Sequence, residues 1–311
     1  MILAIVIPPI LGGYLTSILI LICIWSMMCV SLNLIYGYTG QLSLGHSAFL
    51  ALGAYSFGLV AVKLHLGFWP SFVAAVAITG LFGFLIGIPA LRLRGHFFVL
   101  VTLGFAVTIG VILLAWVDFT GGANGLAGIP RPDPIPLPWG VQLRFDSLLP
   151  MYYFVLFFLI LTVGFCNRLV TSLLGKTFIA ISDDENLTES LGVNTMSRKL
   201  MSFTISAAIA GVAGALYASY NAVISPEIAQ FTKGTDVLAY LIVGGVTTMT
   251  GPIVGTLVLV AVPEVLQIVP YLKTLINGVI LMLFIVFLPS GIVGGFKTLL
   301  PKVGSLRGAQ G

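Results

Sequence analysis

Apolar runs of about 20 residues recur along this chain, each long enough to cross roughly 30 Å of hydrocarbon. That repetition limits the fold more than any other feature. A segment in lipid must satisfy its own backbone polar groups, and a helix does so within one run. The chain therefore reads as all-α, a polytopic integral membrane protein with about 8–9 transmembrane helices, some of them broken or re-entrant. Spans are expected at residues 14–36, 48–62, 70–91, 97–117, 148–166 and 201–222, then a shorter piece at 235–249 and spans at 251–269 and 274–288. With 59% hydrophobic and only 8% charged residues among 311, an ordinary soluble domain is excluded. The net charge of +4 is carried by basic residues scattered between spans. Such residues bear on orientation and give no nucleic-acid surface. Residues 1–9 show no basic segment before the first apolar run and no evident cleavage site, and are expected to belong to the mature chain.

One stretch breaks the apolar pattern most sharply. Between residues 175 and 193, four of the ten acidic residues fall within seven positions, bracketed by Arg168 and Lys176 before and Arg198 and Lys199 after. A polar island of this length must stand in water. Ser182-Asp183-Asp184-Glu185 fits a capping box, which predicts a short helix starting after Ser182. Asp183 and Asp184 would then occupy its first turn, where the helix dipole favours negative charge. Gly192 would stop it in a left-handed cap. Ala180, Leu187 and Leu191 would share one face, with Glu185 and Glu189 on another. Two glutamates four apart repel slightly, a cost that a basic partner surface would remove. The island reads as a docking helix; a plain solvated loop would satisfy its composition alone.

Two other interruptions lie inside apolar surroundings. Residues 37–49, which include Gln41, Ser43 and His46, are too polar and glycine-rich for lipid contact. Irregular backbone survives at membrane depth only against protein or a water-filled cavity. These side chains either line a translocation path or satisfy backbone groups in a broken helix. The piece at 235–249 is about half a span and is interrupted by Gly244-Gly245. Short, glycine-broken pieces in both halves of a transporter point, by analogy with repeat-built carriers, to a site near the midplane. Glu264, inside an apolar span, joins Gly244 and Gly245 as a candidate for that path. In the span after the island, Ala207, Gly211 and Ala215 form one four-residue ladder and Ala210, Gly214 and Ala218 a second. Small residues so spaced let helix backbones approach closely, so these read as packing positions.

Residues 118–147 turn polar, with prolines at 130, 132, 134, 136 and 138. Alternating proline favours extended geometry and is expected to continue neither helix nor sheet. Trp116 and Trp139 flank this loop like belt residues, which predicts an extracytoplasmic position. The basic turn Arg92-Leu93-Arg94-Gly95-His96 and the loop 167–200 are expected on the cytoplasmic side, with the C-terminus.

These segments carry a family resemblance. Residues 175–218 resemble the cytoplasmic loop and following span of permeases in branched-chain amino-acid ABC transporters, with Gly192 at the motif glycine and Glu185 and Glu189 at its acidic positions. Ser182 and Asp184 stand where the family usually carries Arg and Asn. The segment from Gly37 to Tyr55 resembles the M-type (LivM) permease and differs from its H-type companion; the Leu-Arg-Leu-Arg-Gly turn and residues 121–132 are similar as well. The resemblance implies one permease domain over 1–311, with 167–200 as the ATPase-coupling loop. In that loop Ser182, Asp183, Asp184, Glu185, Leu187, Glu189, Leu191 and Gly192 would engage the ATPase. It also implies an H-type permease as heterodimer partner, two ABC ATPase subunits and an extracytoplasmic amino-acid-binding protein, in a bacterial cytoplasmic membrane. ATP and Mg would be bound by the ATPases, leaving no cofactor to this chain.

The chemistry-bearing motifs do not contradict this. Gly175-Lys176-Thr177 resembles the end of a phosphate loop, but the pattern needs glycine where Val170 stands. The cysteines at 23, 29 and 166 show no metal or disulfide spacing, and the three histidines are scattered. No metal site and no enzyme activity are expected. A stand-alone carrier driven by an ion gradient would also explain the broken segments and Glu264, and a channel would fit the composition. Neither gives the acidic island a task.

Overall fold

The computed structural model describes residues 12–93, 95–136, 142–265, 278–279, 282 and 291–294. Among them are six helices long and apolar enough to cross a membrane: α1 (Gly13–Ile35), α2 (His46–Lys63), α3 (Phe68–Ala90), α4 (His96–Ala115), α6 (Leu148–Thr171) and α9 (Thr195–Asn221). Short helices α5 (Val117–Thr120), α7 (Leu173–Asp183) and α8 (Glu185–Ser190) sit between them, and α10 (Phe231–Gly244) and α11 (Gly251–Val265) follow. The protein is an all-α, polytopic membrane chain. The expected spans fall on these helices to within a few residues; of the span expected at 274–288 only residues 278–279 and 282 are among those described.

Helix α9 is the hub, packing against α2, α3 and α1. Its two ladders of small residues are the reason. Ala207, Ala210, Ala215 and Ala218 are fully buried, and a side chain at Gly53 of α2 would stand 2.6 Å from the Cα of Gly211. Gly214 likewise lies against the backbone of Leu50 and Ala54. With no hydrophobic force between helices in lipid, such close approach supplies the association. By contrast α4 exposes Leu100, Val107, Val111 and Leu114 along one flank. In a membrane that flank meets lipid or another subunit.

The two ends of the bundle differ. At one end the long excursion after α4 folds back on the helices. Asp133 Oδ2 accepts from the Phe68 amide at the start of α3 (3.0 Å), where a carboxylate also complements the helix dipole. Lys63 donates to the Asp118 carbonyl at 2.7 Å. Strand β1 (Leu126–Ala127) pairs with β4 (Val223–Ile224), joining the excursion to the exit of α9. The proline run is not free of sheet, as its composition predicted. β2 (Ile135–Pro136) pairs antiparallel with β3 (Gln142–Leu143). A two-residue ladder tolerates Pro136 because proline loses only its amide donor and keeps its carbonyl. Trp116 is exposed at the end of α4; Trp139 lies outside the described residues.

At the opposite end lie the start of the turn after α3 (residues 91–93), the non-helical segment after α1, and α7–α8. Built on Gly40, a Cβ would come within 2.8 Å of the Ser182 hydroxyl, so the broken segment and α7 are in contact. After α9 the chain does not cross again at once. A short 3-10 turn, Pro226–Ala229, tucks in beside α2 and α4. Helix α10 then runs along α1 to a turn where Asn33 donates to the Thr248 carbonyl (2.9 Å) and the Tyr38 hydroxyl to the Thr247 carbonyl (2.9 Å). Helix α11 returns beside it. The glycine-broken piece thus runs from the end where α9 exits to the end where α1 stops, a crossing made in pieces, with α10 beginning at Phe231 and ending at Gly244.

Candidate functional site

The acidic island forms two helices, with a break one residue long. Ser172 caps α7, its hydroxyl accepting from the Gly175 amide at 3.4 Å. Phe178 and Ile181 bury one face of α7, and that burial carries the helix through Ser182 to Asp183. The N-cap of the second helix is therefore Asp184 and not Ser182. Asp184 is extended (φ −153°, ψ 107°) and its Oδ1 accepts from the Leu187 amide at 3.0 Å. Asp183 ends the first helix, so it does not sit in the first turn of the second. Thr188 is buried and ties the two helices, its hydroxyl donating to the Ala180 carbonyl at 2.9 Å. Ala180 thus belongs to a different helix from Leu187 and Leu191 and does not share their face. Gly192 adopts φ +84° and its amide closes on the Glu189 carbonyl (2.9 Å), the left-handed stop expected of it.

What this small unit presents to solvent is apolar as well as acidic. Leu187 is 60% and Leu191 77% exposed, with Glu189 exposed between them. Two large apolar side chains, one on the six-residue helix and one at its C-cap, form an exposed anchor. Glu185 is different. Its carboxylate meets the Lys199 ammonium at 2.5 Å, and Lys199 is 2% exposed. The glutamate pair expected to face one partner is thus divided: Glu189 points outward and Glu185 is held internally.

At the broken segment, His46 is the first residue of α2 and is buried. The Ser31 hydroxyl donates to the Ser206 carbonyl and the Ser206 hydroxyl to the Ser31 carbonyl, both at 2.6 Å. Both serine hydrogens are thereby engaged. The ring nitrogen Nε2, 2.9 Å from Ser31 Oγ and 3.0 Å from Ser206 Oγ, must carry the proton and donate to both oxygens. His46 therefore knots α1, α2 and α9 together. Its Nδ1 and the buried Ser43 hydroxyl have no hydrogen-bond partner among the described residues, while Gln41 is half-buried. Gly244 and Gly245, the other path candidates, sit where α10 and α11 touch: a side chain on Gly244 would strike the Gly251 and Gly255 backbone, and one on Gly251 would strike the Gly245 carbonyl. They act there as packing positions. Glu264 lies in the last turn of α11, and its side chain falls outside the described residues.

Two groups escaped the sequence reading. One is a groove of about 430 Å³ between α4 and the start of α10, lined by Ala106, Gly110 and Leu114 on one side and Glu227, Gln230 and Phe231 on the other. Only a polar Glu-…-Gln pair beside a proline turn hinted at it. The other is the set Ser31, Thr39, Ser202 and Ser206, whose sequence signal was polar residues recurring on one face of α9.

Among described residues no cluster of His, Cys, Asp and Glu could hold a metal ion. Compared with known proteins, residues 14–288 match the model of the branched-chain amino acid transport system permease component family. The high-affinity branched-chain amino acid transport system permease protein LivM of Salmonella typhimurium is 33% identical over 92% of this chain and 72% of its own length. LivM of Escherichia coli is 32% identical over 100% and 77%. The companion permease protein LivH of Escherichia coli is 26% identical over 87% and 91%. No solved structure matches. A match over residues 14–288 and identity above 30% along most of the chain leave one assignment: this protein belongs to the family of permease components of branched-chain amino acid transport systems.

Proposed function

We propose that this chain is the M-type permease subunit of an ATP-driven importer carrying branched-chain amino acids, or closely related small amino acids and amides, across a bacterial cytoplasmic membrane. It is non-catalytic. It pairs with an H-type permease, in keeping with the resemblance to both LivM and LivH relatives. Two ATPase subunits, which bind the ATP and Mg, dock at the end carrying α7 and α8. An amino-acid-binding protein delivers substrate at the end carrying the 118–147 excursion. The observation that supports this reading best is the exposed pair Leu187 and Leu191 beside Glu189 on a doubly capped helix. A carrier working alone would leave that apolar step in water, at a cost of roughly 25 cal/mol per Å². The path is proposed to run along the groove at Gly110 and Gln230, with Gln41, Ser43 and His46 in the broken segment that starts α2.

The test is leucine uptake into vesicles by the reconstituted complex. Uptake should require internal ATP and the binding protein, and should persist when ionophores collapse ion gradients. Uptake by this chain alone, abolished by ionophores, would establish the ion-coupled alternative.

A further inference from the structure

Among the buried polar side chains of helix α9, Lys199, Ser202 and Ser206 share one face, spaced three and four apart. Each grips a different element. Lys199 holds Glu185 of α8 at 2.5 Å. Ser202 meets the Thr39 hydroxyl at 2.7 Å, and Thr39 in turn donates to the Leu34 carbonyl at the end of α1 (3.0 Å). Ser206 closes the exchange with Ser31 and receives the His46 ring. The three positions span seven residue steps, or about 10 Å of helix. They form three separate contacts stacked along one face of α9 and joined through the helix itself, leading from the exposed docking helix to the residue that starts α2. Ser182 against Gly40 supplies a second contact between the same two regions.

Serines alone would read as ordinary glue between membrane helices. Lysine does not. A lysine almost never lies fully buried unless paired, and its partner here sits on α8, the short helix that also exposes Leu187 and Glu189. We infer that Lys199, Ser202 and Ser206 are positioning residues that transmit displacement of α8 to the broken segment at Thr39–His46, setting the start of α2 according to the state of the docked ATPases. This rests on the ATP-driven reading above. Glu185 is in this account a tether and not a contact to the ATPase. Coupling through a contiguous network is established only by perturbing both of its ends.

The experiment uses the full complex in proteoliposomes, with leucine and the binding protein present or absent. It reads the ratio of stimulated to unstimulated ATP hydrolysis, and the ATPase recovered with the permease. Lys199→Met and Ser206→Ala should each lower the stimulation ratio by roughly 2- to 30-fold, the span expected of network positions, with ATPase recovery retained. Together they should lower it little further than either alone, because both interrupt one line. The swap Glu185→Lys with Lys199→Glu restores an ion pair and should recover the ratio lost in Lys199→Met. Unchanged stimulation in both single variants, or independent losses that simply multiply, would overturn the inference. If the unaltered chain recovers no ATPase, the ATP-driven reading itself fails, and that result is separable from the first two.

Discussion

Glu185 and Lys199 carry opposite charges into unequal surroundings, and that inequality makes a prediction. The lysine is buried and the glutamate partly open to water. Removing the carboxylate strands a buried ammonium, which for such pairs costs about 3–5 kcal/mol. Removing the lysine frees a carboxylate that water can still reach. Glu185→Gln should therefore lower the unfolding temperature in detergent clearly more than Lys199→Met; equal effects would show that the pair is solvated. Asp184 offers a second contrast at this scale. As the N-cap of α8 its loss in Asp184→Ala should cost about 1 kcal/mol and speed amide exchange at Leu187, while Ser182→Ala should leave that amide unchanged. The sequence made the acidic island legible as helical and capped, yet mislocated the cap by two residues. Ser182 and Asp184 are both competent acceptors, and only the burial of Phe178 and Ile181, a tertiary fact, decides between them.

Helices were legible because their periodicity and length are local properties. The small-residue ladders of α9 pointed to close crossings, and Gly53 against Gly211 is one. Gly211→Leu should accordingly force α9 from α2 and remove the protein from the membrane fraction, whereas Gly164→Leu, with open space at its Cβ, should not. What could not be read locally was which broken pieces meet. Gln41, Ser43, His46, Gly244 and Gly245 all looked alike as interruptions, but a contact across 160 residues places His46 in a knot, and the packing of α10 on α11 places the glycines in a helix crossing. The groove beside α4 is likewise assembled from segments far apart in the chain. Gly110 lines it, and a Cβ there would rest 3.8 Å from Ala229, an ordinary contact. Gly110→Trp should then leave assembly intact and block leucine uptake; unimpaired uptake would move the path elsewhere.

Across the whole molecule, one end is fastened by Asp133, Lys63 and the β1–β4 pairing, while the other carries the exposed leucines of α8. This polarity predicts sidedness. A cysteine at position 186 should react with impermeant reagents only from the cytoplasmic side, and one at 128 only from outside. Charge reversal at both Glu185 and Glu189 is a poor probe of docking, because altering Glu185 also breaks its pairing with Lys199. The direct measurement is recovery of the ATPases with a permease carrying Leu187→Asp, Leu191→Asp and Glu189→Lys, substitutions confined to side chains that touch nothing essential within the chain. A docking helix predicts normal insertion, normal pairing with the H-type partner, and ATPase recovery and leucine-stimulated hydrolysis both reduced at least about tenfold, as expected when central apolar anchors are lost. Full recovery of the ATPases with undiminished uptake in that variant would contradict the account.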